Sequence, residues 1–229
     1  MADVRTESVE YPTNGETGQG FLAAPQGEGP FPGIIVVQEW WGLDDHIKDV
    51  VQRLASEGFV ALAPDLYHGK VTKEPGEAQK LMMSLNMGQA TKELTKAADY
   101  LASRPEVEGK GIGAIGFCMG GGLALNLACE SPHIRAVAPF YGTNPNPIDK
   151  VQDLRGPVFA VYAEHDNFAG ENIRRQLEEA LNQREIVYET QVYPNAQHAF
   201  FNDTRAEVYN REAAEDAWRR AVSLFHENL

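Results

Sequence analysis

Only two cysteines, Cys118 and Cys129, occur in 229 residues. They are eleven positions apart, which in a helix spans roughly 16 Å, more than twice the reach of a disulfide. An intramolecular disulfide is therefore not expected, and two thiols alone cannot make a zinc site. The six histidines offer no H-E-x-x-H or comparable metal spacing. Positive charge is scarce too: 20 Lys and Arg face 33 Asp and Glu, a formal charge of −13. Such a field repels nucleic acid and anionic membranes, so neither is an expected partner. Long apolar runs are missing, and stretches such as Phe59 to Pro64 are far too short to cross a bilayer. The start, Met1-Ala2-Asp3-Val4-Arg5-Thr6-Glu7, has neither the basic nor the apolar part of a signal peptide, which makes a cytoplasmic location the expectation. Repeats, low-complexity tracts and long linkers are absent. With 43% hydrophobic residues, the chain reads as one globular domain over 1–229.

What is present is an alternation of short apolar runs and longer periodic segments. Val4 to Ala24 reads as two extended segments around Thr13-Asn14-Gly15, where Asn-Gly favours a hairpin turn. Gly33 to Gln38 is a β-branched run suited to a strand buried on both faces. Asp44 or Asp45 caps a helix to about Glu57 that buries Ile47, Val50, Val51 and Leu54. Further strands are expected at 59–63, 110–117, 136–141, 158–163 and 186–193. Further helices are expected at 77–86, 90–103, 120–130, 172–182 and 205–227. Strands that alternate with helices make a mostly parallel sheet covered on both faces, with function gathered at the carboxyl ends of the strands.

Gly116-Phe117-Cys118-Met119-Gly120 lies where a strand meets a helix and fits G-x-nucleophile-x-G. An abrupt strand-to-helix turn strains and exposes its middle residue, and residues two away must be small. The helix N-terminus then favours a thiolate, and the Met119 N–H can stabilise an oxyanion. On the pentapeptide alone, a buried inert cysteine in a packing turn is an equal reading. Gly111-Ile112-Gly113-Ala114-Ile115-Gly116 spells a dinucleotide fingerprint, but the strand falls inside it rather than before it. Asp166 follows the strand at 158–163, and His198 follows the strand at 186–193. Nucleophile, acid and histidine in that chain order are what an α/β-hydrolase requires. The bland readings are a helix cap for Asp166 and a loop residue for His198. His46 and His226 are expected on solvated helix faces. Gln38-Glu39-Trp40-Trp41-Gly42-Leu43 follows the first core strand. The Trp40 N–H there is the candidate second oxyanion donor, with Glu39 aimed at the thiol. Alternatively, Trp40 and Trp41 simply cover the edge of the core.

These residues resemble the dienelactone hydrolase, or carboxymethylenebutenolidase, family. The motifs are 38–43, Ala63-Pro64-Asp65-Leu66-Tyr67, Gly116 to Gly121, Ala163-Glu164-His165-Asp166 and His198-Ala199-Phe200. The resemblance implies an α/β-hydrolase fold without a large lid and a Cys118, His198, Asp166 triad. It also implies that Glu39 interacts with the resting cysteine, and that a small ester or lactone is hydrolysed through a thioester. No cofactor or metal is implied. Trp41, Tyr67, His68 and Phe200 are the expected substrate contacts, and the expected assembly is a monomer or small homo-oligomer. One departure stands out: the family grips a substrate carboxylate with arginines, one of them a turn after the histidine. Here that position is Asn202, and no arginine lies between Lys70 and Gly88. A neutral or differently charged ester or lactone thus stands beside dienelactone itself. The competing reading is a non-catalytic binding or thiol-sensing protein of the same fold.

Overall fold

The computed structural model describes residues 3–13 and 15–229, and its strands form one eight-stranded sheet. Val4–Pro12 (β1) and Thr17–Pro25 (β2) pair antiparallel, from Val4 opposite Pro25 to Pro12 opposite Thr17. Asn14 of the expected hairpin turn lies outside the described residues. There follow Phe31–Val37 (β3), Asp45–Ser56 (α1), Val60–Pro64 (β4), Pro75–Ser84 (α2), Met87–Ala102 (α3) and Val107–Phe117 (β5). The chain continues through Met119–Glu130 (α4), Ile134–Phe140 (β6), Val158–His165 (β7), Glu171–Gln183 (α5), Tyr188–Gln197 (β8) and Arg211–Asn228 (α6). The strand order is β1-β2-β4-β3-β5-β6-β7-β8. β2 runs antiparallel to β4, and every pair from β4 to β8 is parallel. This is the expected α/β-hydrolase architecture.

The core follows from the apolar runs. Ile34 to Val37 of β3 and Val60 to Ala63 of β4 are wholly buried, as strands covered on both faces must be. Successive strand residues point to opposite faces. A Cβ on Gly33 would meet Leu101 of α3, whereas one on Gly113 would meet Phe225 of α6. Gly33 pairs with Ile112, one residue out of step with Gly113, so α3 and α6 cover opposite faces. α1 buries Ile47, Val50, Val51 and Leu54, and its N-cap Asp44 accepts from the Ile47 N–H. α4 is built from Gly, Ala and Leu and is buried on nearly every side. Between β6 and β7 stands only a short 3₁₀ helix, Ile148–Asp153, so no large lid covers the carboxyl edge of the sheet.

Several boundaries differ from expectation: β8 runs on to Gln197 rather than 193, α3 begins at Met87 rather than 90, and the starts of β5 and α6 move as well. β5 begins at Val107, because Val107 pairs with Phe31 before the register shifts to Gly33 opposite Ile112. The polar residues 108–111 bulge between those two pairings, which is why the apolar pattern starts late. α6 begins at Arg211 rather than 205, because the Asn210 side chain accepts from the Ala213 N–H and caps the helix there. No helix of the described residues is long and apolar enough to cross a membrane.

Candidate active site

The sheet register assembles the site. Val37 at the end of β3 pairs with Gly116 of β5, and Phe117 pairs with Phe140 of β6. The loop at 38–42, the Cys118 turn and Tyr141 therefore leave neighbouring strands side by side. The Cys118 N–H donates to the Phe140 carbonyl at 3.0 Å, and the Tyr141 N–H to the Val161 carbonyl of β7 at 2.7 Å. β7 and β8 pair from Val158–Tyr188 to His165–Gln197. Asp166 and His198 thus emerge together, one residue past paired strand ends. A register shift in β8, with Asn195 at φ 57°, re-aims the chain before His198.

Cys118 sits at φ 56°, ψ −120°, directly before the first residue of α4. An L-residue adopts that conformation only when its surroundings impose it. The imposing contacts are visible in the flanking glycines. A Cβ on Gly116 would lie 2.0 Å from the Gly120 carbonyl oxygen, and one on Gly120 would lie 2.3 Å from the carbonyl oxygens of Val37 and Gln38. The G-x-C-x-G spacing is a packing requirement of the turn. Cys118 is partly exposed and Cys129 is buried; both are free thiols, and burial first of all pushes the Cys129 thiol up to about 12.

His198 Nδ1–H donates to Asp166 Oδ2 at 2.8 Å, with the Asp166 side chain fully buried. Asp166 Oδ1 accepts from the N–H groups of Phe168 and Ala169 at 2.7 and 2.9 Å. Burial opposes the charge on Asp166, but the His198 and backbone hydrogen bonds override it and hold its carboxyl below the usual value. Burial likewise opposes charge on His198, yet the hydrogen bonds to Asp166 and Cys118, with their negative charge, push it up to about 10. An imidazolium held this way offers the Cys118 sulfur a counter-charge. Neither the Met119 nor the Trp40 N–H has an acceptor among the described residues.

Glu39 is buried but meets different company. Its Oε2 accepts from Asn202 Nδ2 at 2.8 Å, while Oε1 has no protein partner. Among the described residues no hydrogen bond joins Glu39 to Cys118. Burial raises the Glu39 carboxyl above its usual value, against the opposing influence of His46 and the Asn202 hydrogen bond.

Of the expected substrate contacts, Tyr67 reaches the site: its hydroxyl lies 3.6 Å from the Met119 sulfur. Trp41 is nearly buried, edge-on to Trp40 at 5.0 Å, with the Arg205 guanidinium 5.4 Å from its ring. His68 is exposed and turned towards Glu93 of α3, 4.0 Å away. Phe200 corrects an expectation. It is wholly buried against Tyr141 and Tyr193, in the wall behind His198, with no surface left for a substrate. The exposed aromatic beside His198 is instead Phe168, with ring centroids 5.1 Å apart. His46 corrects another, being 2% exposed rather than solvated. Sequence reasoning missed Phe168, Tyr141 and His46 as parts of this region. Phe168 alone carried a signal, two residues after the candidate acid.

The dienelactone hydrolase family model matches residues 19–229. A Saccharolobus solfataricus protein named "Putative carboxymethylenebutenolidase" is 35% identical, the match covering 95% of this chain and 97% of that one. An Aquifex pyrophilus protein named "Protein usf" is 34% identical over 97% of this chain and 99% of its own. The crystal structure described as a putative dienelactone hydrolase from Klebsiella pneumoniae superposes with a TM-score of 0.90 at 30% identity, covering 98% of this chain and 99% of that one. The dienelactone hydrolase structure from Anabaena variabilis, at 21% identity and a TM-score of 0.76 over 99% of both chains, shares the fold. With an elbow at β5, an acid after β7 and a histidine after β8, the chain belongs to the dienelactone hydrolase family and is a carboxylic ester hydrolase.

Proposed function

We propose that the protein hydrolyses a small carboxylic ester or lactone by covalent catalysis on Cys118, acting as one domain over 1–229. The observation that carries this reading is the Asp166–His198 hydrogen bond beside a Cys118 held in a strained turn at the start of α4. The Cys118 thiolate attacks the carbonyl carbon, forming a C–S bond and an oxyanion. The N–H groups of Met119 and Trp40 are the donors assigned to that oxyanion. Collapse breaks the C–O bond, and the His198 imidazolium gives its proton to the departing alkoxide. In a lactone the alcohol stays attached to the acyl group. Neutral His198 then takes a proton from water, which attacks the thioester. The acid is released and the sulfur recovers its thiolate. Asp166 fixes the tautomer and compensates the imidazolium. Tyr67, Trp41 and exposed Phe168 supply apolar surface around the acyl and alcohol portions. Two free thiols suit a reducing cytoplasm.

The test is turnover of p-nitrophenyl acetate and of a dienelactone by wild type and Cys118→Ala. Loss of roughly 10⁴-fold or more in the variant is expected, as for removal of a nucleophile that acts as a unit with its base. Equal activity of the two proteins would refute the nucleophile. Equal inactivity on every ester would leave ligand binding or thiol sensing as the reading.

A further inference from the structure

Asn202 and Glu39, far apart in the chain, are joined by a buried hydrogen bond. Asn202 is 1% exposed and Glu39 is 2% exposed, and Asn202 Nδ2 donates to Glu39 Oε2 at 2.8 Å. Glu39 lies in the loop after β3, next to the Trp40 N–H. Asn202 closes the turn after His198, its N–H donating to the Ala199 carbonyl at 3.0 Å. The bond therefore joins the loop that carries an assigned oxyanion donor to the turn that carries the base. The Asn202 amide cannot turn around, because its Oδ1 accepts from both the N–H and the hydroxyl of Thr204, at 3.1 and 2.6 Å. Only Nδ2 can face Glu39, which fixes the direction of the bond.

The two ends of this bond are not equally anchored. On the Asn202 side, Phe200 and Phe201 are buried, and the Phe200 carbonyl accepts from the Asn210 N–H at 3.0 Å. The Asn202 carbonyl accepts from the Arg205 N–H at 3.1 Å, and His198 is held by Asp166. On the Glu39 side, two contacts flank the loop. Gln38 Oε1 accepts from the Leu66 N–H at 3.2 Å, and the Trp41 carbonyl accepts from the Thr72 N–H at 3.0 Å. Glu39 and Trp40 lie between those anchors. Trp40 is half-buried, and its N–H has no acceptor among the described residues. Among the described residues, the Asn202 amide is the only hydrogen-bond donor to the Glu39 side chain. Burying a carboxyl costs free energy that one neutral donor only partly offsets, so stability alone does not account for the pair.

We propose that Asn202 is a positioning residue that sets the oxyanion loop against the histidine turn, holding Glu39 and through it the Trp40 N–H in register with His198. The sheet topology gives the reason. Trp40 follows β3 and His198 follows β8, and β5, β6 and β7 stand between those strands. Through the sheet, their spacing is transmitted across four strand pairings in series. The Asn202–Glu39 bond spans the same interval directly. The proton on His198 and the oxyanion donors must act on one tetrahedral centre, so their relative placement governs the rate. The inference rests on Cys118 being the nucleophile and on the Trp40 N–H being an oxyanion donor.

The experiment compares wild type, Asn202→Asp, Glu39→Gln and the double variant at about pH 8, above the ordinary carboxylate range. Three quantities are read: kcat for p-nitrophenyl acetate, inhibition by an aryl trifluoromethyl ketone, and alkylation of Cys118 by iodoacetamide. The ketone carbonyl takes up the Cys118 sulfur and becomes an oxyanion, whereas alkylation forms a C–S bond and expels iodide without one. Cys129 is buried, and Cys118→Ala gives the alkylation background. Asn202→Asp keeps the shape and the Thr204 contacts but sets an acceptor against the Glu39 acceptor. It is expected to lower kcat and ketone affinity together by about tenfold to about 100-fold, at or below the roughly 10²–10³ that deleting an oxyanion donor costs. Alkylation is expected to change by less than about twofold, because it uses no oxyanion donor. In the Glu39→Gln background, the amide at position 39 can donate to the carboxylate at position 202, which restores the tie with its polarity reversed. There Asn202→Asp is expected to cost less than about threefold relative to Glu39→Gln alone. Asn202→Ala removes the donor without adding charge, and its gap between ketone affinity and alkylation serves if the aspartate variant misfolds. A loss that Glu39→Gln does not relieve, or one that alkylation shares, would make Asn202 a packing residue and overturn the proposal, as would an unchanged kcat in Asn202→Asp. Retained ester turnover in Cys118→Ala would instead remove the nucleophile beneath it, which distinguishes the two failures.

Discussion

Two buried carboxyl groups stand near Cys118, and their surroundings treat them oppositely. Asp166 has both oxygens hydrogen-bonded: two backbone N–H groups on one oxygen and the His198 imidazole on the other. Its carboxyl is lowered in spite of burial. Glu39 has one neutral amide on one oxygen and nothing on the other, and burial raises it. Burial alone therefore does not decide which buried acid is charged; the number and charge of its donors decide. The surroundings of Asp166 favour its anion, and those of Glu39 favour its neutral form.

If that contrast is right, the largest effect comes from Asp166. Asp166→Asn keeps the shape but offers the imidazole the wrong hydrogen-bond partner, and kcat should fall about 10⁴-fold in a steady-state ester assay. A loss below about tenfold would mean that His198 is oriented by something else. The second effect concerns pH. In the free enzyme His198 is held protonated up to about 10 by Asp166 and the Cys118 sulfur. Acylation uses that proton, so kcat/KM should decline as pH rises through about 10. Once the sulfur is a thioester, its hydrogen bond and charge no longer support the imidazolium. The ascending limb of kcat, where deacylation limits, should therefore lie well below that of the free-enzyme midpoint. Coincident midpoints in the two profiles would show that Cys118 contributes nothing to the charge on His198.

The same contrast explains what the sequence could reveal. Asp166 and His198 could be placed because each follows a strand-like run within a few residues, and the parallel sheet lines up strand ends. The elbow was legible because backbone collisions at Gly116 and Gly120 admit no larger side chain. The Glu39 environment was not, because Asn202 lies 163 residues away and chain order says nothing about which loop folds under which. His46 was misjudged for a related reason. It shares a helical stripe with Val50, but counting imidazole as polar assigned it to water. Phe200 looked like a substrate contact because it follows the histidine at a turn. That turn runs inward, though, and both Phe200 and Phe201 are buried by it. The start of α6 was obscured because Arg205 to Tyr209 has helical composition while Asn210 holds the cap.

The smallest expected effect is also the cleanest separation of the two acids, because it has opposite signs. A carboxyl lowered in the folded state, as Asp166 is, adds stability above its unfolded value near 4, and that stability is lost as pH falls through the folded value. A carboxyl raised in the folded state, as Glu39 is, does the reverse. Between its unfolded and folded values the unfolded chain binds fewer protons, so stability declines as pH rises through that window. Glu39→Gln retains an oxygen for the Asn202 amide and removes the titration. It should raise Tm at pH 8 by a few degrees, about what 1 kcal/mol is worth in a chain of this size, and leave Tm near pH 4 almost unchanged. Asp166→Asn should lower Tm at pH 8, because the imidazolium loses its counter-charge and the Phe168 and Ala169 N–H groups lose a charged acceptor. Thermal melts of the two variants at both pH values read this directly. If Glu39→Gln were destabilising at pH 8, Glu39 would be a stabilised anion like Asp166, and the distinction between an acid held charged and one that burial pushes towards the neutral form would fall.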